Sequence, residues 1–322
     1  MRELRVGKND AGQRLDKFLS KTLRTLPQSL LYKSIRLKKI KVNRRRATPS
    51  QILAEGDSLQ LFLAEEFFSP DARRDGASLS RTHAPLNVLY EDSEILLIHK
   101  RPGLSVHAGA AGDGEHLVGQ LQAYLYANGE YDPDREQSFA PALCNRIDRN
   151  TEGIVIAAKT AEALRVMDEK IRAREVKKYY LAAVHGTPAP REATLSGWLL
   201  KDAAENRVRV FDKNPPHGAK EIRTKYRVLE TVGDVSLIEV ELLTGRTHQI
   251  RAHMAHVGHP LLGDGKYGIN REDRARGYTH QALCAYRVRF DFSGEETVLD
   301  ALRGREFSIP PEDVYFVKEL FS

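Results

Sequence analysis

Positive charge is concentrated in the first fifth of the chain, and this asymmetry constrains the architecture more than any other feature. Residues 1–64 contain 15 Lys and Arg but 5 Asp and Glu, whereas the rest of the 322-residue chain contains 35 basic and 39 acidic residues. This pattern is typical of a polyanion-binding module attached to a second domain. A solvated surface is the alternative reading. The module is favoured because six basic residues are clustered within nine positions: Lys38, Lys39, Lys41, Arg44, Arg45 and Arg46.

Length and composition limit the class of protein. A chain of 322 residues suits two domains, and 41% hydrophobic residues can form a sizeable core. Two distant cysteines, Cys144 and Cys284, form no disulfide framework and fit a reducing compartment. The charged N-terminus predicts no signal peptide, and no apolar run reaches the roughly 18 residues that span a bilayer. We therefore expect a soluble, cytoplasmic protein without a membrane partner, and we predict a monomer.

The apolar spacing of the first 64 residues predicts a small α+β module. Leucines and Phe18 recur at intervals of three and four and predict a helix over 12–26, which Pro27 ends. Ser29 is predicted to cap a second helix. Alternation over 40–43 and 59–63 predicts two strands, the first turned by Arg44-Arg45.

Three stretches of this module resemble the alpha-L RNA-binding domain, first known from a small-subunit ribosomal protein. They are RLDKFL at 14–19, LPQSLLYKSIRLKKIKVN at 26–43 and EGDSLQL at 55–61. The resemblance implies that the six clustered basic residues bind RNA. In that family the second helix usually ends in Gly, whereas Lys38 and Lys39 occupy this region here.

The remainder predicts an α+β domain with a mixed, largely antiparallel sheet flanked by helices. Residues 65–84 are polar and contain Pro, Gly and Ser, so we predict domains at 1–64 and 85–322 joined by a linker over 65–84. The predicted elements of the second domain are a hairpin over 88–98, a buried strand over 153–158 followed by a helix capped by Thr160, strands over 179–184 and 236–243, and a turn and helix over 245–257.

An aspartate between two arginines is the first chemical candidate. Asp148 lies in the run Asn145-Arg146-Ile147-Asp148-Arg149, just before an apolar strand. Positive neighbours favour the ionised carboxylate, which suits a nucleophile better than a general acid. Taken alone, the run is more typical of a surface loop of ion pairs.

The second candidate combines arginines with histidines. Residues 245–251 read Gly-Arg-Thr-His-Gln-Ile-Arg, and His253, His256 and His259 follow. Four histidines could suggest a metal site. The spacing lacks the i, i+4 pair with Glu, no Cys lies nearby, and Arg246 and Arg251 would repel a cation, so we predict no metal.

A third, weaker signal is the pair Tyr179-Tyr180 after Lys177-Lys178. Adjacent residues of a strand face opposite sides, so one tyrosine is predicted to be core and the other could stack on a base.

Together the three clusters resemble the RluA-type pseudouridine synthases. Arg146-Ile147-Asp148 matches the family's Arg-Leu-Asp motif with its catalytic aspartate, and residues 178–182 match its Lys-x-Tyr-x-Ala strand, which puts the active-site tyrosine at Tyr180. Residues 245–251 match without change. The resemblance covers about 85–300. Among its departures, Asn145 stands where His is usual, Ile147 replaces Leu, and Cys284 stands where His is common.

The resemblance implies an isomerase that turns uridine in RNA into pseudouridine without a cofactor. We expect Asp148 to act at the sugar as nucleophile or ion-pair stabiliser, Arg251 to pair with it, and Tyr180 to pack on uracil and help remove the C5 proton. Arg146 is expected to fill the space left by the flipped uridine. Further predicted RNA contacts are Arg149, Arg246, His248 and Gln249, and the predicted pocket walls are Ile147, Ile154 and Ile250.

Three other functions fit parts of the sequence. They are a non-catalytic RNA-binding or ribosome-assembly protein with this fold, a nucleoside or glycoside hydrolase, and a metal hydrolase that uses the histidines. Large-subunit ribosomal RNA is the predicted substrate, because family members with an added N-terminal module often act there. Transfer RNA is the second candidate.

Overall fold

A computed structural model describes residues 1–68, 79, 85–107, 115–202, 205, 207–268 and 270–321. Its contacts divide the chain into two compact units. The first comprises Met1–Leu86, Val118–Ala142 and Ala158–Arg165, and the second comprises Asn87–Leu117, Leu143–Ala157 and Val166–Ser322. Most of the predicted linker lies outside the described residues, and the predicted domain bounds stay a prediction.

The first unit begins with a four-stranded antiparallel sheet and two helices. Its elements are β1 (Arg2–Arg5), α1 (Leu15–Thr22), α2 (Gln28–Arg36), β2 (Ile40–Val42), β3 (Arg45–Arg46) and β4 (Ser58–Leu61). The strand order is β1-β4-β2-β3. The leucines that predicted the first helix, with Phe18, are buried in one core that also takes Ile40 and Leu59 from the sheet.

The two predicted helix boundaries were wrong in detail. Gly12 has a φ of +77°, which is incompatible with a helix, so α1 begins only at Leu15 and ends at Thr22 rather than spanning 12–26. Pro27 occupies the cap position of α2, and Ser29 lies inside the first turn without a side-chain cap bond. Leu23 and Leu26 are nevertheless buried, because the chain after α1 still passes over the core.

Lys38 explains how α2 ends without the usual glycine. Its φ is +60°, in the left-handed region, while its N–H donates to the carbonyl of Ile35 and the next N–H, of Lys39, donates to Ser34. This geometry closes the helix as glycine normally does, at a cost of about 1 kcal/mol for a residue with a Cβ. Lys38 and Lys39 are therefore both exposed just beyond the helix.

The first unit also includes segments from later in the chain. Asp10 is 2% exposed, and its Oδ1 accepts hydrogen bonds from the backbone N–H and the hydroxyl of Ser138. Asn9 donates to Glu136 at 2.8 Å. The helix α3 (Leu117–Ala127) precedes this segment and belongs to the unit from Val118 onward. Sequence periodicity gave no sign of these polar contacts, because they join residues about 125 positions apart.

The second unit is built on a large mixed sheet, as predicted. Its strands are β5 (Val88–Glu91), β6 (Ile95–Lys100), β7 (Ala142–Leu143), β8 (Glu152–Ala158), β9 (Val176–His185), β10 (Glu192–Asp202), β11 (Arg207–Phe211), β12 (Lys220–Val232), β13 (Val235–Leu242), β14 (Leu283–Phe290) and β15 (Glu306–Ser308). The order of the strands in the sheet is β11-β10-β12-β13-β9-β14-β8-β6-β5, with β7 beside β8 and β15 beside β14. Most neighbouring strands are antiparallel, and β14 is parallel to β8.

Helices flank this sheet. They are α4 (Ala161–Arg172), which runs from the first unit into the second, α5 (Gln249–His256), α6 (Asn270–Ala275) and α7 (Tyr315–Leu320). The predicted cap of α4 is confirmed, since Thr160 Oγ1 accepts the N–H of Ala163 at 3.1 Å. Within the described residues, every helix is too short or too polar to cross a bilayer.

The strand after the Asp148 run is fully buried, and its second residue is a glycine that the geometry requires. All seven residues of β8 are buried. Gly153 pairs with Ala285 of β14 and has a φ of +126°. A Cβ at this position would lie 2.4 Å from the carbonyl oxygen of Ala285, which is backbone and cannot turn aside.

We expect Gly153→Ala to lower the free energy of unfolding by at least about 3 kcal/mol, because backbone strain and a backbone clash act together. Gly277→Ala is the matched control. Gly277 has a φ of +94°, but nothing lies within 4 Å of its added Cβ, so we expect a loss of about 1–2 kcal/mol. Urea denaturation of both variants measures the difference, and equal losses would contradict the role of the Ala285 contact.

Candidate active site

The two charged motifs meet at a cavity of about 390 Å³ in the second unit. Residues 144–148, from the loop between β7 and β8, form one wall, and residues 245–251, from the turn before α5 and its first residues, form another. Lys178 and Tyr180 of β9 reach the cavity from the sheet. The motifs are about 100 residues apart in sequence, and the sheet order brings their loops together.

Asp148 and Arg251 form a direct ion pair in this cavity. Nη1 of Arg251 donates to Oδ2 of Asp148 at 2.8 Å. The Arg251 side chain is 9% exposed and that of Asp148 is 24% exposed. The carboxylate is thus held by a buried guanidinium while one side of it stays open to the cavity. The predicted pairing of these two residues is present in the structure.

Asp264 holds the other edge of the same guanidinium, and the sequence had assigned it no role. Its two oxygens accept from Nε and Nη2 of Arg251 at 2.7 and 2.8 Å, and its side chain is fully buried. Oδ1 also accepts the backbone N–H groups of Lys266 and Tyr267. The sequence shows Asp264 next to Gly263, but it does not indicate that Asp264 pairs with Arg251.

The pKa values of this pair follow from its contacts. Burial alone would raise the pKa of Asp264, but the hydrogen bond and charge of Arg251, with the two backbone N–H groups, lower it below its usual range. Burial alone would lower the pKa of Arg251, but Asp264 first, and then Asp148, raise it above its usual value. Arg251 is therefore a permanent cation next to Asp148.

The loop that carries Asp148 is held from behind by a buried lysine. The Nζ of Lys100 donates to the carbonyl oxygens of Arg101, Leu104 and Arg149 at 2.8–3.1 Å. Burial lowers the pKa of Lys100 to about 8, and the charge of Asp148 counteracts this. Arg149 adds a second link, because its Nε donates to the carbonyl of Gly103 at 2.8 Å. These bonds position Asp148 through its backbone.

The two tyrosines of β9 divide as the strand geometry predicts. Tyr180 is 6% exposed and lines the cavity, whereas the ring of Tyr179 faces the opposite side and lies 4.0 Å below the guanidinium of Arg287. Burial, and then the charge of Asp148, raise the pKa of Tyr180. Its phenol is therefore neutral at physiological pH.

His248 faces Asp148 from the turn before α5. Its φ of +53° is left-handed, and its Nε2 lies 3.9 Å from Oδ2 of Asp148. Its Nδ1 lies 2.9 Å from the hydroxyl of Tyr267, which itself accepts the N–H of Val208. Burial lowers the pKa of His248, so the ring is neutral. We assign the hydroxyl proton of Tyr267 to the bond with Nδ1, which leaves the ring proton on Nε2, towards Asp148.

Residues 94–256 match a family described as RNA pseudouridylate synthase, and this match spans half of the chain. The chain belongs to this family. The protein is thus an RNA pseudouridine synthase, an isomerase, and the predicted resemblance to RluA-type synthases is confirmed. Its Arg-Ile-Asp and Gly-Arg-Thr-His-Gln-Ile-Arg motifs are the ones that meet at the cavity.

Curated relatives cover most of the synthase. Ribosomal large subunit pseudouridine synthase C of Haemophilus ducreyi is 31% identical over 292 residues, which cover 89% of this chain and 86% of that protein. The protein of the same name from Vibrio cholerae is 32% identical over 281 residues, covering 86% and 82% respectively.

Solved structures share the fold of the synthase. Human RNA pseudouridylate synthase domain containing 4 has a TM-score of 0.57 at 21% identity, covering 76% of this chain and 95% of that chain. Human RNA pseudouridylate synthase domain containing 1 has a TM-score of 0.51 at 22% identity, covering 74% and 95%.

The other residues predicted to contact RNA lie in different surroundings. Arg146 and Arg246 are exposed and line the cavity of the synthase. Arg149 is exposed but lies outside the cavity lining and bonds to Gly103. Gln249 is 2% exposed and makes its hydrogen bonds within the protein. Its amide bonds to the carbonyl of Arg223, to Thr224 and Thr244, and to the N–H of Arg246.

Two of the three predicted wall residues line the larger cavity. Ile147 and Ile250 are 8% and 4% exposed and belong to its lining. Ile154 lies on a second, smaller cavity, which it shares with Lys178 and Tyr180. Asn145, which stands where the family usually has His, accepts the N–H of Ile156 at 2.7 Å and so ties the Asp148 loop to β8.

The four histidines of the second motif point to different partners. His248 faces Asp148, whereas the buried His253 lies 3.0 Å from Thr224 Oγ1, and burial lowers its pKa to about 4. His256 lies 2.9 Å from Asp212, and His259 lies 2.9 Å from the carbonyl of His185. In the described part of the chain, no three side chains of the metal-binding types converge.

The six clustered basic residues belong to the first unit. Five of them are exposed, and Lys41 is partly exposed with its Nζ 5.6 Å from the ring of Phe62. Asn43 and Arg44 have φ values of 49° and 63° and form the turn between β2 and β3. The six basic residues lie on successive segments of this unit: just after α2, on β2, in this turn and on β3.

We expect Asp264→Asn to lower the free energy of unfolding by about 3 kcal/mol at pH 7, because the buried guanidinium of Arg251 loses the carboxylate that balances its charge. Asp148→Asn is the matched control and should cost about 1 kcal/mol, since Arg251 keeps Asp264. Urea denaturation measures both. Equal costs would contradict the structural role of Asp264.

The same pair predicts a pH dependence. The pKa of Asp264 is lower in the folded than in the unfolded chain, where it is about 3.9. Its stabilisation is therefore complete above the unfolded pKa and is lost as the pH falls through the folded pKa. The difference in the free energy of unfolding between wild type and Asp264→Asn should narrow as the pH falls below about 4. A gap that stays constant would contradict this assignment.

Proposed function

We propose that this synthase converts uridines of large-subunit ribosomal RNA to pseudouridine, with Asp148 attacking C1′ of a flipped-out nucleotide. The names of the relatives support the substrate. The observation that carries the catalytic role is the carboxylate of Asp148, held at 2.8 Å by Arg251 and open to a cavity of about 390 Å³.

The chemistry needs an anion at the sugar and a site that excludes water. As the N1–C1′ bond breaks, C1′ becomes electron-poor, and a carboxylate can bond to it or form an ion pair with it. Arg251 holds the Asp148 carboxylate in place through a hydrogen bond of 2.8 Å. Ile147 and Ile250 give the cavity apolar walls, which limit capture of the sugar by water.

A uridine must leave its stack to reach Asp148, because the carboxylate is only partly exposed inside the cavity. Extrusion costs roughly a few kcal/mol. Arg146, exposed on the cavity lining two residues before Asp148, is suited to fill the vacated space. RNA with unpaired or weakly paired uridines is the favoured substrate, since less stacking is lost.

Tyr180 packs against the uracil in this proposal. Its ring lies on the cavity lining, and its raised pKa keeps the phenol protonated. A neutral phenol is a weak base, so the packing role is favoured over direct removal of the C5 proton. His248, neutral and turned towards Asp148, is a second group that borders the sugar.

The decisive test of the catalytic role is Asp148→Asn. We expect pseudouridine formation to fall by at least about 10⁴-fold, because the amide is a poor nucleophile, while RNA binding persists. Asp234→Asn, an exposed carboxylate in the turn between β12 and β13, is the matched control and should retain activity.

Two results would overturn the catalytic role of Asp148. The first is isomerase turnover that survives the substitution. The second is release of free uracil by the wild type, which would indicate a hydrolase. A wild type that binds RNA but never isomerises it would point to the non-catalytic alternative.

The target is tested by mapping pseudouridines in ribosomal and transfer RNA from cells with and without the gene. A site in large-subunit RNA that disappears on deletion, and returns with wild type but not with Asp148→Asn, is the expected result. Loss of a transfer RNA site instead would replace the proposed substrate.

The six clustered basic residues of the first unit are proposed to bind RNA phosphates. Changing Arg44, Arg45 and Arg46 to Gln should weaken RNA binding and reduce the slope of log affinity against log salt by about 2–3. The control changes Arg271, Arg274 and Arg276, which removes the same charge from the second unit. If both triple variants weakened RNA binding equally, RNA binding would depend on the net charge of the protein and not on the position of these arginines.

A further inference from the structure

Lys178 is a cation on the catalytic cavity whose role the motifs did not reveal. It lies two residues before Tyr180 on β9, so the two side chains project from the same face of the strand. Both line the catalytic cavity and the smaller cavity beside it. Among the residues that the structure describes, none accepts a hydrogen bond from its Nζ or forms an ion pair with it.

This isolation is costly for the folded protein. Burial lowers the pKa of Lys178, and no neighbouring carboxylate raises it again. Lys178 is partly buried. Partial removal of an unpaired ammonium from water is unfavourable, and replacement by an apolar residue would remove that penalty. A lysine in such a place is therefore expected to meet negative charge that arrives with the substrate or develops during the reaction.

The other cations of the cavity are placed differently. Arg251 donates to Asp148 and Asp264 with three of its nitrogen atoms. Arg146 and Arg246 are exposed, where water already solvates them. Among the cations that line the cavity in the described residues, Lys178 combines partial burial with donors that no protein group uses.

We infer that Lys178 is a further catalytic residue, whose ammonium donates a hydrogen bond to a carbonyl oxygen of the uracil once it has separated from the ribose. This inference rests on the proposed function. Electrostatic stabilisation of charge that develops during a reaction is usually a large contribution to catalysis, and it is strongest where water is excluded.

The electron count places the negative charge on the base. When the N1–C1′ bond breaks, its electron pair stays with uracil and is delocalised over N1, O2 and O4, while an oxygen of Asp148 bonds to C1′. After the base turns, an electron pair of the anion forms the C5–C1′ bond and releases the Asp148 carboxylate. The C5 proton is then lost and N1 gains one, so the net reaction is an isomerisation. Lys178 keeps its proton throughout.

The test compares Lys178→Met with Lys177→Met, which changes the adjacent lysine on the opposite face of β9. The substrate is the ribosomal RNA fragment that contains the uridine identified by mapping. Single-turnover rates, RNA dissociation constants and melting temperatures are measured for each variant. If Lys178→Met melts below the wild type, Lys178→Gln is used for the same comparison.

We expect the single-turnover rate of Lys178→Met to fall by about 10²-fold. Its RNA dissociation constant should stay within about twofold of wild type, and its melting temperature should be equal or higher because an unpaired, partly buried charge is gone. Lys177→Met should resemble the wild type. This combination cannot arise from damage to the fold.

Thio-substituted RNA tests the contact itself. Sulfur is a weaker hydrogen-bond acceptor than oxygen, so replacing the target with 4-thiouridine or 2-thiouridine should weaken the bond to Lys178 at O4 or O2. With one of the two substrates, the rate ratio of wild type to Lys178→Met should drop from about 10² to below about 10. A ratio unchanged with both would overturn the contact.

Other results separate this inference from the proposed function. A Lys178→Met rate within about threefold of wild type, or a loss confined to RNA affinity as a phosphate contact would give, would overturn the role of Lys178 alone. A wild type that forms no pseudouridine in any ribosomal or transfer RNA would overturn the proposed function and the role of Lys178 with it.

Discussion

One guanidinium joins the structure of the second unit to its chemistry. Arg251 binds the fully buried Asp264 through two hydrogen bonds and the partly exposed Asp148 through one. Because Asp264 and its backbone contacts fix the guanidinium, the position of Asp148 is set by a partner that cannot move freely. Asp264 is fully buried and Asp148 is partly exposed. The charge of Arg251 therefore stabilises the fold through Asp264 and holds Asp148 at the cavity.

The protein around this pair holds reactive groups through their backbones. Lys100 donates to three carbonyl oxygens, one of them that of Arg149 beside Asp148, and Asn145 ties the Asp148 loop to β8. Gln249 bonds to Thr244 and Arg246 in the turn before His248 and to Arg223 and Thr224 of β12. Buried polar groups with all their partners are rigid, because breaking any bond leaves a desolvated atom. Hydrogen bonds thus hold the walls of the cavity in place, while Arg146 and Arg246 on its lining are exposed.

Local patterns predicted the elements better than their limits. The strand over 153–158, the cap at Thr160 and the opposite faces of Tyr179 and Tyr180 all follow from side-chain periodicity and short-range hydrogen bonds. The first helix was predicted too long because the apolar spacing continues beyond both of its ends. Before its first residue, the positive φ of Gly12 already excludes a helical conformation. The predicted Ser29 cap was wrong because Pro27 is the N-cap residue and α2 begins at Gln28.

The sequence by itself determined the family, the chemical type of each site residue and the uneven charge, since motifs, composition and periodicity are properties of neighbouring residues. Tertiary structure decided which of those residues meet. It paired Arg251 with Asp264 as well as Asp148, set Ile154 on a smaller cavity, and left Lys178 partly buried without an anion. Such facts depend on the desolvation and distance that arise when segments 100 residues apart pack together, and no local pattern encodes them.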